Sequence, residues 1–374
     1  MSIVIKEVVS KRDLKKFITF PDKLYAGNKY WIPPLHSEEM NTLHKDKNPA
    51  FDFCDVKYWL AYKDGKIAGR IAGIIITRYI EKWKNKYTRF GWVDFIDDDN
   101  VSKSLFNTLE TWAKEKGMDA VHGPLGFTDL DPEGMLIEGF DELGTIVTIY
   151  NYPYYSEHLE RLGYKKDVDW IEFEVKVPDK LPEKIERIAA VVKKKNKLHI
   201  LKANKSKDIL PYTKEIFYVI NEAFEPLYGV VPLTEKQIDK YIKQYFGMIR
   251  PDFVSIILDE QNKIAAFGIT MPSMSKAFQK AKGQLFPFGF FYIMKALKKN
   301  DRVDLFLVAV RPDLQGRGVN SLLFNEFFKV FVNNKITKAE TNPELESNTK
   351  VQAQWKFFER RQHKRRRCYI KQLK

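Results

Sequence analysis

The sequence predicts an α/β fold, an α+β mixed sheet built from two tandem copies of one unit. Three observations carry that prediction. An apolar run at residues 305–310 passes through a loop with two glycines straight into an amphipathic helix. The same order of strand, helix, hairpin, strand, helix and strand occurs twice along the chain. The chain's 374 residues, with 44% hydrophobic and 14% aromatic content, are enough for two cores of ordinary size.

The first copy begins with a strand at residues 3–7 and a helix from Lys11. A hairpin follows, with two apolar runs joined by Lys63-Asp64-Gly65; Asp-Gly between such runs is a strong hairpin signal. Residues 90–96 read as a strand, 102–116 as a helix with Leu105, Leu109 and Trp112 on one face, and 119–122 as a fifth strand. A helix at 151–162 and a closing strand at 170–177 complete the unit. Later the hairpin returns at 253–269, and even Lys-Ile-Ala is repeated, at Lys66-Ile67-Ala68 and Lys263-Ile264-Ala265. His122-Gly123-Pro124 and Thr341-Asn342-Pro343 end corresponding strands, and residues 155–164 and 355–364 occupy the same late-helix place. The expected organisation is a degenerate first domain at 1–180, a linker at 181–196 broken by prolines, and a second domain at 197–374.

The junction after the central strand of the second copy carries the chemistry. Pro312 ends the strand, since it cannot donate to a ladder. The glycines then lead into a helix N-terminus, where unpaired N–H groups and the dipole favour a phosphate, with Arg311 and Arg317 alongside. Val310-Arg311-Pro312-Asp313-Leu314-Gln315-Gly316-Arg317-Gly318-Val319-Asn320 resembles the pyrophosphate-binding motif of the GNAT superfamily of acyl-CoA-dependent N-acyltransferases. Gln315, Gly318 and Asn320 fall on its three defining positions, Asn320 replacing the usual Gly or Ala. The resemblance implies two tandem GNAT-like domains and a loop of Arg311, Gln315, Gly316, Arg317, Gly318, Val319 and Asn320 that holds acyl-CoA. It further implies that N–H groups around Val308 and Val310 polarise the thioester carbonyl. The first copy has Ile96-Asp97-Asp98-Asp99-Asn100 at that position; three carboxylates there would repel a pyrophosphate.

Where the fifth strand of the second copy leaves the sheet, the resemblance places the acyl thioester, with Glu340 as base and Asn342 as orienting amide. Phe358 stands where the superfamily often has a catalytic Tyr, and a phenyl ring cannot protonate a thiolate. The segment 283–297 is apolar nearly all round, so it is expected to be buried, to lie on a membrane, or to line a pocket with Phe286, Phe290 and Ile293. A long glycine-rich loop follows the first copy's fifth strand, and His122 and Asp131 are candidates for completing the pocket from there. Residues 360–367, Arg-Arg-Gln-His-Lys-Arg-Arg-Arg, read as a solvated face or a phosphate or membrane contact joining the late helix to the last strand. Together with 28–35 and 352–367, these segments resemble the bacterial ceramide-synthase-like branch of the superfamily. That resemblance implies transfer of a fatty acyl group to the amine of a long-chain base.

The bulk numbers bound the partners. A net charge of +14 admits CoA, an anionic membrane, an acidic carrier protein or nucleic acid; nucleic acid is the least expected once the loop is weighed. Two cysteines, Cys54 and Cys368, exclude a disulfide framework, and six scattered histidines show no metal-ligand spacing. No tightly bound cofactor is expected, only acyl-CoA or acyl-carrier protein as co-substrate, with an amine acceptor. Residues 2–6 do not read as a signal peptide and no apolar run reaches the roughly 20 residues of a spanning helix. A cytoplasmic protein is expected, at most peripheral to the inner face of the membrane. The alternatives are a Fem-like tandem aminoacyltransferase using aminoacyl-tRNA, or an acyl-CoA-binding protein without turnover.

Overall fold

The computed structural model describes residues 2–373, whose strands join into one fourteen-stranded sheet. The first half opens with β1 (Ile3–Glu7), α1 (Lys11–Leu24) and α2 (His36–Leu43). The hairpin β2 (Cys54–Lys63) and β3 (Lys66–Ile76), then α3 (Thr77–Trp83), β4 (Tyr87–Phe95) and α4 (Asp99–Glu115) follow. The half closes with β5 (Ala120–Gly123), β6 (Met135–Glu138), α5 (Tyr154–Arg161) and β7 (Lys165–Lys176). A connecting helix, α6 (Glu183–Lys195), bears the lysine run 193–195 in its exposed last turn.

The second half repeats the order with additions. It starts with β8 (His199–Ile200), α7 (Ser206–Ile209), α8 (Thr213–Phe224) and α9 (Glu235–Tyr245). The hairpin is β9 (Val254–Leu258) and β10 (Ile264–Pro272), followed by α10 (Ser275–Ala281) and α11 (Gly289–Lys298). Then come β11 (Arg302–Val310), α12 (Asn320–Asn333), β12 (Lys338–Thr341), β13 (Glu344–Leu345), α13 (Thr349–Gln352) and β14 (Arg360–Gln372). The mixed sheet and the doubled unit expected from the sequence are both present. The first hairpin turns on Asp64 and Gly65, both at positive φ (51° and 76°), the backbone that a two-residue turn between right-twisted strands requires.

Helices cover both faces of the sheet. In the first half Leu105, Phe106, Leu109 and Trp112 of α4 pack on one side and Leu14, Phe17 and Ile18 of α1 on the other. In the second, α12 and α6 share one core, and Ile216, Val219 and Ile220 of α8 lie in another, opposite.

The strand order is β1-β2-β3-β4-β5-β14-β7-β12-β11-β10-β9-β8. The last strand of each half is therefore exchanged: β14 pairs with β5 of the first half, and β7 pairs with β12 of the second. The two lie antiparallel at the centre, paired from Arg360↔Val175 to Ile370↔Lys165 with register shifts between Gln362 and Lys364 and between Cys368 and Tyr369.

This arrangement corrects the expectation for 355–367. The late helix is reduced to a short 3-10 turn, Ala353–Phe357, and the basic run lies inside β14. It is neither a solvated face nor a free cationic patch, because acids from distant segments meet it. Arg367 is held by Asp169 at 2.8 and 3.0 Å, and Arg365 by Glu346 at 3.0 Å. Arg361 reaches Glu142 and, at 3.1 Å, Glu174. Lys364 and Arg366 are 1% exposed and share Glu172, itself fully buried. Burial alone would raise Glu174, but hydrogen bonds from Lys338 and Arg361 and their charges outweigh it and hold its carboxyl at about 2.

Breaking a buried ion pair strands its partner's charge, whereas replacing both members by apolar groups is often neutral. Arg366→Met is therefore expected to cost about 3–5 kcal/mol in urea unfolding. Glu172→Leu added to it should recover part of that loss. Equal or greater loss in the double variant would show that packing, not charge, sets the price at this position.

Candidate active site

The site begins where two parallel strands part. Strands β11 and β12 pair only from Arg302↔Lys338 to Leu305↔Thr341. Then β12 ends, while β11 continues to Val310 against β10. A bulge falls at Phe306, since Ile269 faces Leu307 and Thr270 faces Leu305. Arg311 N–H donates to the Ala265 carbonyl at 2.9 Å. Antiparallel alternation then turns the N–H groups of Val308 and Val310 toward the edge that β12 has left. Asn342 spans the mouth of the gap, its Nδ2 donating to the Phe306 carbonyl at 2.7 Å. A carbonyl can only accept, so the Asn342 Oδ1 faces the other way. Phe306, Leu307 and Val308 are half-buried along this edge.

At the far end of β11 lies the expected phosphate loop. Gly316 and Gly318 both take left-handed backbones, at φ 75° and 79°, which L side chains rarely adopt. A Cβ on Gly318 would also lie 3.2 Å from Val192 Cγ2 of α6. Gln315 is fixed by donating Nε2 to the Val310 carbonyl at 3.1 Å. Helix α12 starts without a side-chain cap; Ser321 and Leu322 N–H donate to the Gly318 and Val319 carbonyls at 3.0 Å, and the N–H groups of Gly318, Val319 and Asn320 ahead of them face an anion site. Asn320 needs no unusual backbone, because it is the first residue of α12; its Nδ2 donates to Gln354 at 3.1 Å. Arg317 is exposed and has no ion-pair partner among the described residues. Arg311 differs from expectation: Asp259 at 2.8 Å and Asp313 at 2.7 Å already neutralise it.

The first half treats the same two places differently. Asp98 caps α4, accepting the N–H groups of Asn100 at 2.8 Å and Val101 at 3.3 Å. An internal carboxylate thus sits where a phosphate would. The parting of β4 and β5 is closed as well, because Leu125 N–H donates to the Phe90 carbonyl at 2.8 Å.

Beside the second-half gap stands a group of titratable side chains. The parallel register sets Asp304 opposite Glu340. Asp304 is 2% exposed; burial first, then the Glu340 charge beside it, pushes its carboxyl up to about 8. Glu340 is less enclosed; its carboxylate binds the Lys364 ammonium and lies 3.5 Å from His363 Nε2. Burial, and then the Lys364 charge, holds His363 below its ordinary value. In the first half the equivalent register pairs Thr88 with Val121, so the carboxyl pair exists only once. Glu172, Glu340 and His363 offer ligand atoms within 4.8 Å of one another, but Lys364 and Arg366 already hold these carboxylates. Glu344, two residues past Asn342, receives the Trp355 Nε1–H at 2.7 Å, and burial raises its carboxyl to about 7.

Several expected residues are not brought to this site. His122 lies on β5, with β14 and β7 between it and β12, and its Nδ1 contacts Tyr228 Oη at 3.0 Å. Asp131 stays in its own loop, accepting the N–H groups of Phe127 and Thr128. Phe286 and Phe290 are exposed and project outward, whereas Ile293 packs inward with Met274 and Leu297. Phe358 stacks on Phe328 at 4.9 Å in the core. Sequence reading passed over Asp304 and Glu344. A lone acid breaking an apolar strand, Val303-Asp304-Leu305, was the available signal for the first.

The doubled unit, the exchanged sheet and the parted strands define a tandem GNAT fold. Solved structures agree. A tandem GNAT protein from the clavulanic acid biosynthesis pathway superposes over 100% of this chain and 99% of its own, with TM-score 0.55 and 10% identity. A GCN5-related N-acetyltransferase from Sphaerobacter thermophilus does so over 100% and 96%, with TM-score 0.50 and 11% identity. No family model matches the chain. Protein YghO of Escherichia coli (strain K12) is 30% identical over 379 residues, covering 99% of this chain and 95% of the relative, and the chain belongs to the YghO family. The bacterial ceramide synthase of Caulobacter vibrioides is 27% identical over 322 residues, covering 83% and 82% of the two chains.

Gly318→Val is expected to weaken CoA binding at least tenfold, about 1.4 kcal/mol, by calorimetry. Asp98→Ala in the first half should leave that affinity unchanged. Unaltered affinity in a folded Gly318→Val protein would remove the loop from the CoA site.

Proposed function

We propose that the protein is an N-acyltransferase that moves an acyl group from a CoA thioester, or the equivalent carrier-protein thioester, to an amine. The observation that carries this reading is the combination of an uncapped helix at a two-glycine loop with a parted strand pair holding a carboxyl couple. The ceramide synthase relative supports a long fatty acyl chain and a sphingoid base as the substrate class. A lipid acceptor of that kind would be drawn from a membrane surface.

In the proposed reaction the pyrophosphate rests on the loop N–H groups from Gly316 to Asn320, and the pantetheine arm follows the open edge of β11. An N–H on that edge, Val308's or Val310's, donates to the thioester oxygen and stabilises the oxyanion. Glu340 takes a proton from the alkylammonium, and Asn342 Oδ1 accepts a second N–H to orient the nitrogen. The C–N bond forms, the nitrogen of the tetrahedral centre releases its second proton to solvent, and the centre collapses as the C–S bond breaks and the thiolate leaves. Phe358 cannot protonate it. Glu344 can: its carboxyl still holds protons near neutral pH, and it is tied through Trp355 to the segment that bonds Asn320. Asp304 stays protonated beside Glu340, so that only one of the two carboxyls is charged.

The aminoacyl-tRNA alternative loses its main support, since the densest basic stretch lies inside the sheet. A binding protein without turnover is distinguished by activity.

Glu340→Gln keeps size and hydrogen bonding but cannot accept a proton, so turnover at pH 7 should fall by about 10²–10³ with little change in acyl-CoA affinity. The deficit should shrink as pH rises and more amine is already neutral. Asp304→Asn copies the protonated form; it should hold turnover within about threefold at pH 7 and abolish the inflection near pH 8. Both readouts come from a pH series with an amine panel. Ordinary turnover by Glu340→Gln at pH 7 would exclude it as the base, and acyl-CoA binding without transfer to any amine would favour the binding protein.

A further inference from the structure

Helices α10 and α11, with the turn between them, form a cap with two unlike surfaces. Met274, Ala277 and Phe278 join Ile293 and Leu297 against Ile32 and Leu35 of the first half, which anchors the cap. Its other surface meets no other segment among the described residues. Phe286, Phe288 and Phe291 are 72%, 66% and 65% exposed, and Phe290, Tyr292 and Met294 extend the same apolar surface. Burial, a membrane contact or a pocket lining were the expectations for this stretch; the structure buries one side and places the other in solvent. A contiguous aromatic surface of this kind marks a contact with something apolar.

The charge around it identifies what. Residues 275–300 contain six lysines, at 276, 280, 282, 295, 298 and 299, and no aspartate or glutamate. All six are exposed, and none has an ion-pair partner among the described residues. The cations of the other basic run, inside β14, are by contrast met by acids across the sheet. Aromatic side chains ringed by unpaired lysines suit the boundary between anionic headgroups and acyl chains. No helix among the described residues is long and apolar enough to cross a membrane, so the contact is with the surface of a bilayer.

We propose that the α10–α11 cap docks the protein on an anionic lipid surface, Phe286, Phe288 and Phe291 entering the interface and the lysines meeting the headgroups. The position of the cap gives this consequence for the site. Strand β10 delivers the chain to α10 immediately after Met271↔Asp304 and Pro272↔Val303. The cap therefore stands at the Asp304 end of β11, and the phosphate loop stands beyond Val310 at the other. A docked protein would present its carboxyl pair toward the bilayer while the loop remains open to aqueous CoA. That consequence rests on the acyl-transfer reading; the docking itself does not.

Flotation of the full-length chain with vesicles tests it. The protein should float with equimolar phosphatidylcholine and phosphatidylglycerol and stay behind with phosphatidylcholine alone. Phe288→Ser/Phe291→Ser and Lys295→Glu/Lys298→Glu should each lower partitioning at least about tenfold. All four residues are exposed, so melting temperature should not change. Transfer from acetyl-CoA to a water-soluble amine should also persist in both variants. Failure of the unaltered protein to float, or variants that float equally well, would overturn the docking. So would a dimer that the phenylalanine variant dissociates without altering flotation, because the face would then belong to a second copy. Absence of acyl transfer in a protein that floats would instead remove the function proposed above and leave the docking in place.

Discussion

The pairing of β7 with β14 is the constraint on which the rest of the molecule depends. Each strand belongs by sequence to one half and by hydrogen bonding to both. Charges that would be costly alone in the interior meet across this pair: Arg366 and Lys364 at Glu172, Arg367 at Asp169. A slip of this pairing would leave buried charges without their partners, a cost that opposes any other register. A one-residue shift of β14 would also turn its buried side chains to the opposite face. The register so fixed carries Lys364 to Glu340, and thereby sets the electrostatics of the gap between β11 and β12.

From this shared centre the two halves diverge, and the divergence is chemical. Both retain a bulged central strand and a parallel neighbour that parts from it. In the first half the gap is sealed by the chain's own Leu125 N–H, and the helix N-terminus by Asp98. In the second, a side-chain amide spans the gap and the helix N-terminus is uncapped. Thr88 and Val121 stand where the other half has Asp304 and Glu340. The first half contributes β7 and packs on the α10–α11 cap, while the second keeps the open gap and uncapped loop on which the proposed acyl-thioester site rests.

Much of this was legible in the chain. The Asp64-Gly65 hairpin, its later copy, the two-glycine loop and the acid-rich loop that replaces it all have local signatures, fixed by backbone angles and helix-end electrostatics. What was not legible depended on long-range pairing. Residues 360–367 read as a cationic surface because their acidic partners, Asp169, Glu172 and Glu174, lie nearly two hundred positions earlier. Asp304 was hidden inside an apolar strand, and its full burial there, with the register that sets it beside Glu340, is what raises its proton affinity. His122 and Asp131 were expected at the site because a long glycine-rich loop follows β5, but β14 and β7 stand between His122 and β12, and Asp131 is bonded within its own loop. For residues 283–297, composition gave three options, and the partner surface at Ile32 and Leu35 decided which side faces out.

Amide hydrogen exchange on addition of CoA tests the central claim most directly, because it reads the backbone N–H groups of both helix N-termini in one sample. The account predicts that residues 316–320 become protected, together with the open edge at Val308 and Val310, while residues 98–101 exchange as before. Protection at 98–101, or none at 316–320 under saturating CoA, would contradict the assignment of the thioester to the second half.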